Sequence, residues 1–75
     1  NNIIKVYPNP TNEWLKIKTE KLKSVKVYSM DNKILLSEKI NKNYSEINIS
    51  NLSKGVYFLI IETEKNRYSK KILKF

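Results

Sequence analysis

The chain has 75 residues, enough for one small domain, and its net charge of +8 results from 15 Lys and Arg residues against seven acids. It has no Cys, no His and one Gly. This composition excludes disulfides, thiolate metal sites, the most common general base and a glycine-rich phosphate loop. We therefore expect no enzyme, no catalytic residue, no metal and no cofactor.

Apolar composition favours strands over helices. The chain has ten Ile and four Val but no Ala, and β-branched side chains suit a pleated surface. The longest apolar run, residues 56–61, is six residues long, whereas a membrane-spanning helix needs about 20. No transmembrane segment is therefore expected.

Alternating polarity between turn-type residues predicts seven short strands and no helix. In chain order the predicted strands are 3–7, 14–18, 24–30, 33–40, 44–49, 56–63 and 67–74. The sixth is the most apolar and is placed at the centre of its sheet. Strands of this number and spacing predict an all-β domain, a small seven-stranded antiparallel immunoglobulin-like β-sandwich.

Four segments rich in Asn, Pro or charged residues are predicted to turn the chain. The first is a rigid bend, because its two prolines fix φ and lack backbone donors. The second has an Asp-Asn pair that tolerates left-handed geometry and predicts a hairpin. The four segments are 8–12, 31–32, 41–43 and 64–66.

The loop before the sixth strand contains a local pattern, in which Gly55 and Tyr57 follow Leu52. In immunoglobulin-like sandwiches a Tyr near the start of the sixth strand returns its hydroxyl to the backbone a few residues upstream. We therefore predict that Tyr57 is buried and hydrogen-bonded to backbone within residues 49–54. Gly55 is expected to supply a positive φ or a close backbone approach.

Two binding functions stay open at this point. The net charge could attract nucleic acid, but Lys outnumbers Arg fourteen to one, whereas base and phosphate readers favour Arg. No specific nucleic-acid partner is therefore expected. Exposed aromatic side chains could form a flat platform, which would make the chain a carbohydrate- or surface-binding module. The candidates for that platform are Trp14, Tyr28, Tyr44, Phe58 and Tyr68.

Four blocks of sequence, in order and spacing, resemble the C-terminal sorting domains of type IX secretion. The first three include a Tyr-Pro-Asn-Pro opening, an Asp-Asn-Lys turn and the Leu-x-x-Gly-x-Tyr loop, and the fourth is the basic-apolar end of the chain. Asn32 stands where the family often has Gly, and Asn can also adopt a left-handed conformation. The motif residues of the first three blocks are Tyr7, Pro8, Asn9, Pro10, Leu15, Ile17, Asp31, Asn32, Lys33, Leu52, Gly55 and Tyr57.

The resemblance implies a role for the whole chain. Residues 1–75 would be a single C-terminal sorting domain cut from a larger secreted precursor of a Bacteroidota-type bacterium. The precursor would pass through the periplasm and reach the cell surface or the medium. Its partners would be outer-membrane shuttle and translocon proteins of the type IX system, a sortase-like protease and an N-terminal passenger domain.

We predict that the last strand is the main element recognised by the secretion machinery. It ends the chain and is expected near a sheet edge, where unpaired N–H and C=O groups can accept a partner strand. Edge lysines also protect against aggregation, which is a purely structural alternative. The predicted recognition residues are Lys70, Lys71, Ile72, Leu73, Lys74 and Phe75.

Overall fold

The computed structural model describes residues 4–75, which form one antiparallel sheet of five strands. Ile3, predicted to begin the first strand, lies outside the described residues. The strands are β1 (Lys5–Tyr7), β2 (Trp14–Tyr28), β3 (Ile34–Asn48), β4 (Gly55–Thr63) and β5 (Arg67–Lys74).

The long strand β2 organises the sheet. β3 pairs with β2 over nearly its whole length, from Trp14↔Asn48 to Tyr28↔Ile34. Since a strand has two edges, β1 and β4 both lie along the other edge, β1 beside the first half of β2 and β4 beside the second half. β5 then pairs with the far side of β4. The sheet is strongly curled into a half-barrel.

The all-β, antiparallel prediction is confirmed, but five strands replace the predicted seven-stranded immunoglobulin-like sandwich. The predicted strands 14–18 and 24–30 are joined in the single strand β2, which ends two residues earlier, and 33–40 and 44–49 are joined in β3, which is one residue shorter at each end. Between the two members of each pair the strands form bulges, which bend a strand without ending it.

The bulge in β2 centres on Lys21, which has a φ of 51° and whose backbone N–H donates to Asn43 Oδ1 at 3.0 Å. Thr19 and Leu22 are buried on either side, and the pairing register shifts before and after Leu22. An Asn predicted to end a strand thus satisfies the donor that the bulge leaves unpaired.

A single core lies inside the curl, and both halves of β2 contribute to it. The predicted alternation is confirmed, because alternate side chains along both halves of β2 and along β4 are buried there. β4, predicted to be central, lies between β2 and β5 and supplies three of the buried residues. The buried core residues are Leu15, Ile17, Leu22, Val25, Val27, Ile47, Ile49, Tyr57, Leu59, Ile61 and Ile72.

Candidate recognition site at the C-terminal strand

β5 presents two different faces, because side chains alternate along a strand. Ile72 and Lys74 point inward and are 0% and 8% exposed. On the opposite face, Lys71 is exposed, and Leu73 and Phe75 are 43% and 59% exposed. Lys74 can be buried in this way because the aliphatic stem of a Lys packs against apolar groups while its charged end stays nearer to solvent.

The predicted recognition residues therefore divide into two groups. Ile72 and Lys74 are enclosed and are not presented to a partner, so their part is to hold β5 against the core. The side chains that a partner could contact are the exposed ones. These are Lys70, Lys71, Leu73 and Phe75.

The outer edge of β5 was predicted to be open, and the structure shows it covered over residues 71–75. The Asn9 side chain donates to the Lys71 carbonyl at 3.0 Å and accepts from the Leu73 N–H at 3.1 Å. The Thr11 N–H donates to the Leu73 carbonyl at 3.0 Å, and the Phe75 N–H donates to the Thr11 carbonyl at 3.1 Å. A partner strand cannot add to backbone groups that are already bonded in this way.

The covering segment is the predicted rigid bend, which lies between β1 and β2. The peptide bonds before Pro8 and Pro10 are cis. Thr11 is 3% exposed, and its Oγ1 donates to the Trp14 carbonyl at 2.6 Å, which ties the bend to the start of β2. Two motif regions at opposite ends of the sequence thus form one structural unit, a contact that sequence analysis missed.

The predicted corner before β4 is confirmed. Tyr57 is 8% exposed and its hydroxyl donates to the Ser53 carbonyl at 2.6 Å. Gly55 has a φ of 151°, and a Cβ built there would meet nothing within 4 Å. Of the two roles considered for Gly55, the positive φ is therefore present and the close approach is absent. Leu52 packs against the core.

The Asp-Asn-Lys turn between β2 and β3 is also confirmed. Asn32 has a φ of 65°, and its N–H donates to the Ser29 carbonyl at 3.1 Å. A hydrogen bond from the Ser29 hydroxyl is the main cause that lowers the pKa of Asp31. Lys33 Nζ lies 3.7 Å from the same carboxylate. These exposed groups stabilise the turn.

The five candidate aromatic residues do not form one platform. Trp14 and Tyr44 are 44% and 39% exposed on the outer face of the half of the sheet that contains β1. Tyr28 and Phe58 are cross-strand neighbours in the other half. Tyr68 packs against the core. The bend in β2, which sequence analysis missed, divides the set.

Neither a cluster of metal-binding side chains nor a membrane-spanning helix is found within residues 4–75. Within residues 4–75, no three acidic side chains come together as a metal site would require. The same part of the chain contains no helix of the length and apolarity needed to cross a membrane.

A protein-family model matches the whole five-stranded sheet. A family model described as the secretion system C-terminal sorting domain covers residues 5–74, from the first residue of β1 to the last residue of β5. No curated protein matches the chain. The matched range includes both the Pro-Asn-Pro bend and the C-terminal strand that it covers.

Proposed function

The chain belongs to the family of secretion system C-terminal sorting domains, and from this we propose that its secretion signal is the exposed face of a locked C-terminal strand. Domains of this family are type IX secretion signals and not enzymes. The family role implies an N-terminal passenger, contact with the secretion machinery and delivery to the outer membrane or cell surface.

The proposal also names the partners of the domain. We infer that an outer-membrane shuttle protein and the translocon recognise the domain while its precursor is in the periplasm. A sortase-like protease then separates passenger and domain at the cell surface. Residues 1–75 act as one unit in these steps, as the C-terminal domain of a larger precursor.

A row of exposed side chains supports β5 as the recognised element. Lys71, Leu73 and Phe75 are exposed side by side on one face of β5, whose outer backbone edge is bonded to Asn9 and Thr11. Recognition therefore uses side chains in a fixed register instead of strand addition. Fixing the strand before contact also lowers the entropy cost of binding.

Deleting residues 73–75 from a passenger fusion tests the proposal. We expect export to be lost while circular dichroism still shows a folded sheet. Normal export of the deleted fusion would contradict it. Because the deletion also removes the contacts of Thr11, a second variant keeps the backbone and replaces only the exposed side chains, Leu73→Ser with Phe75→Ser. The matched control is Leu35→Ser with Tyr44→Ser, which removes two exposed apolar side chains of β3, a strand that pairs with β2 and not with β5.

A further inference from the structure

The outer face of β4 is apolar, and no other part of residues 4–75 forms a layer over it. β4 alternates between buried residues and half-buried ones, and Val56, Phe58 and Ile60 are the half-buried set. They belong neither to the buried core nor to the apolar residues packed against it. Side chains of one strand alternate between faces, so these three point away from the core.

Neighbouring strands extend this apolar area. Phe58 pairs with Tyr28 of β2 on one side and with Lys71 of β5 on the other. Val56 pairs with Leu73, which is 43% exposed. Paired residues share a face of the sheet. We call the contiguous group Tyr28, Val56, Phe58, Ile60 and Leu73 the β4 outer patch.

Basic side chains border the patch. Lys26 pairs with Ile60, and Arg67 and Lys71 lie on the same face of β5. Near the patch the acid on this face is Glu62, which accepts from Ser24 Oγ at 3.0 Å, lies 4.0 Å from Lys26 Nζ and is the cross-strand partner of Arg67. Among the described residues, neither Arg67 nor Lys71 has a carboxylate within 4.0 Å. With three cations and one acid, the border has net positive charge.

We propose that the β4 outer patch is a docking surface for a protein component of the secretion machinery whose contact area is apolar at its centre and acidic at its border. The proposal rests on the function given above and extends the recognised surface from β5 to β4 and β2. Apolar and aromatic side chains at the centre of a contact supply most of its affinity, and complementary charge at the border sets specificity and association rate.

Charge decides among the possible occupants. A second copy of the chain would bring a net charge of +8 and the same basic border against this face. An anionic lipid surface would suit the lysines, but it would also meet Glu62 within the contact. An acidic protein surface suits the border and can pair its own donors with Glu62.

The test uses a passenger fusion in cells with a working type IX system. Phe58→Thr removes the central ring but keeps a residue that favours strands, and Lys71→Glu reverses the border charge. The matched controls are Tyr44→Thr and Lys42→Glu, exposed positions away from the patch. Thermal melts of the purified domains show whether each of the four variants folds. If Phe58→Thr does not fold, Lys71→Glu, which changes an exposed residue, still provides the test.

We expect both patch variants to lower export by about tenfold, the effect of losing one good contact residue, and both controls to match the wild type. A folded Phe58→Thr domain that is exported normally would overturn the docking surface and leave the proposed function intact, whereas normal export of Lys71→Glu would count against both. A wild-type fusion that is not exported would overturn both. Phosphatidylglycerol vesicles that bind the wild-type domain but not the patch variants would overturn the protein partner in favour of lipid.

Discussion

The side chain of Asn9 accepts a hydrogen bond from the backbone N–H of Leu73 at 3.1 Å, although the two residues are 64 positions apart. Its amide nitrogen also donates to the Lys71 carbonyl, so one side chain pairs with β5 as the backbone of a neighbouring strand would. The N-terminal motif therefore holds β5, the strand that we propose presents the secretion signal.

Removing this side chain should loosen the end of β5. Asn9→Ala eliminates two hydrogen bonds, each with a net value of about 0.5–1.5 kcal/mol, and we expect a loss of about 1–2 kcal/mol because the site is exposed. Urea unfolding followed by circular dichroism measures it. Asn12→Ala, an exposed residue of the same bend, is the control. Equal midpoints for the two variants would contradict the contact.

The corner before β4 should depend on one hydroxyl. Tyr57→Phe removes the hydrogen bond to Ser53, and we expect it to lower the free energy of unfolding by about 0.5–1.5 kcal/mol. Tyr68→Phe is the matched control, because Tyr68 is a half-buried Tyr of the same sheet. A Tyr57→Phe domain as stable as the control would show that the hydroxyl is not needed.

Gly55 should be hard to replace for conformational reasons alone. Its φ of 151° is one that other residues rarely adopt, whereas space for a Cβ is open. We expect Gly55→Val to cost about 1–3 kcal/mol of unfolding free energy. Lys54→Val in the same loop controls for a new exposed side chain. A Gly55→Val domain that unfolds at the wild-type urea concentration would refute this explanation.

Acid should weaken the turn between β2 and β3. The hydrogen bond from Ser29 holds the pKa of Asp31 below its ordinary value of 3.8. A group whose pKa is lower in the folded state adds stability above its unfolded pKa and loses it as pH falls through the folded pKa. Unfolding free energies near neutral pH and below 3.8 should therefore differ more for the wild type than for Asp31→Asn. An NMR titration that gives Asp31 an unshifted pKa would contradict this.

Local contacts were predictable from the sequence, and distant ones were not. Tyr57 and Ser53 are four positions apart, so a short motif is enough to predict their bond. The bond between Lys21 and Asn43 spans 22 positions, and the residues around it are equally typical of turns and of bulges. For this reason the sequence predicts four short strands where the structure has two long, bent ones.

The same limit applies to the candidate site. Alternation along residues 67–74 separates inward from outward side chains once the strand is assigned. The burial of Lys74 and the coverage of the β5 edge by Asn9 depend on the curl of the sheet, which no local pattern specifies. The prediction of an open edge was therefore wrong, whereas the position of β5 at the side of the sheet was confirmed.

Export of a passenger is the most direct test of the central claim. A folded reporter enzyme with a Sec signal peptide is fused before residue 1, and its activity is measured in the medium and at the cell surface of type IX-competent and type IX-deficient cells. We expect release only when both the chain and the secretion system are present. Periplasmic retention of the intact fusion in competent cells, or equal release from deficient cells, would contradict it.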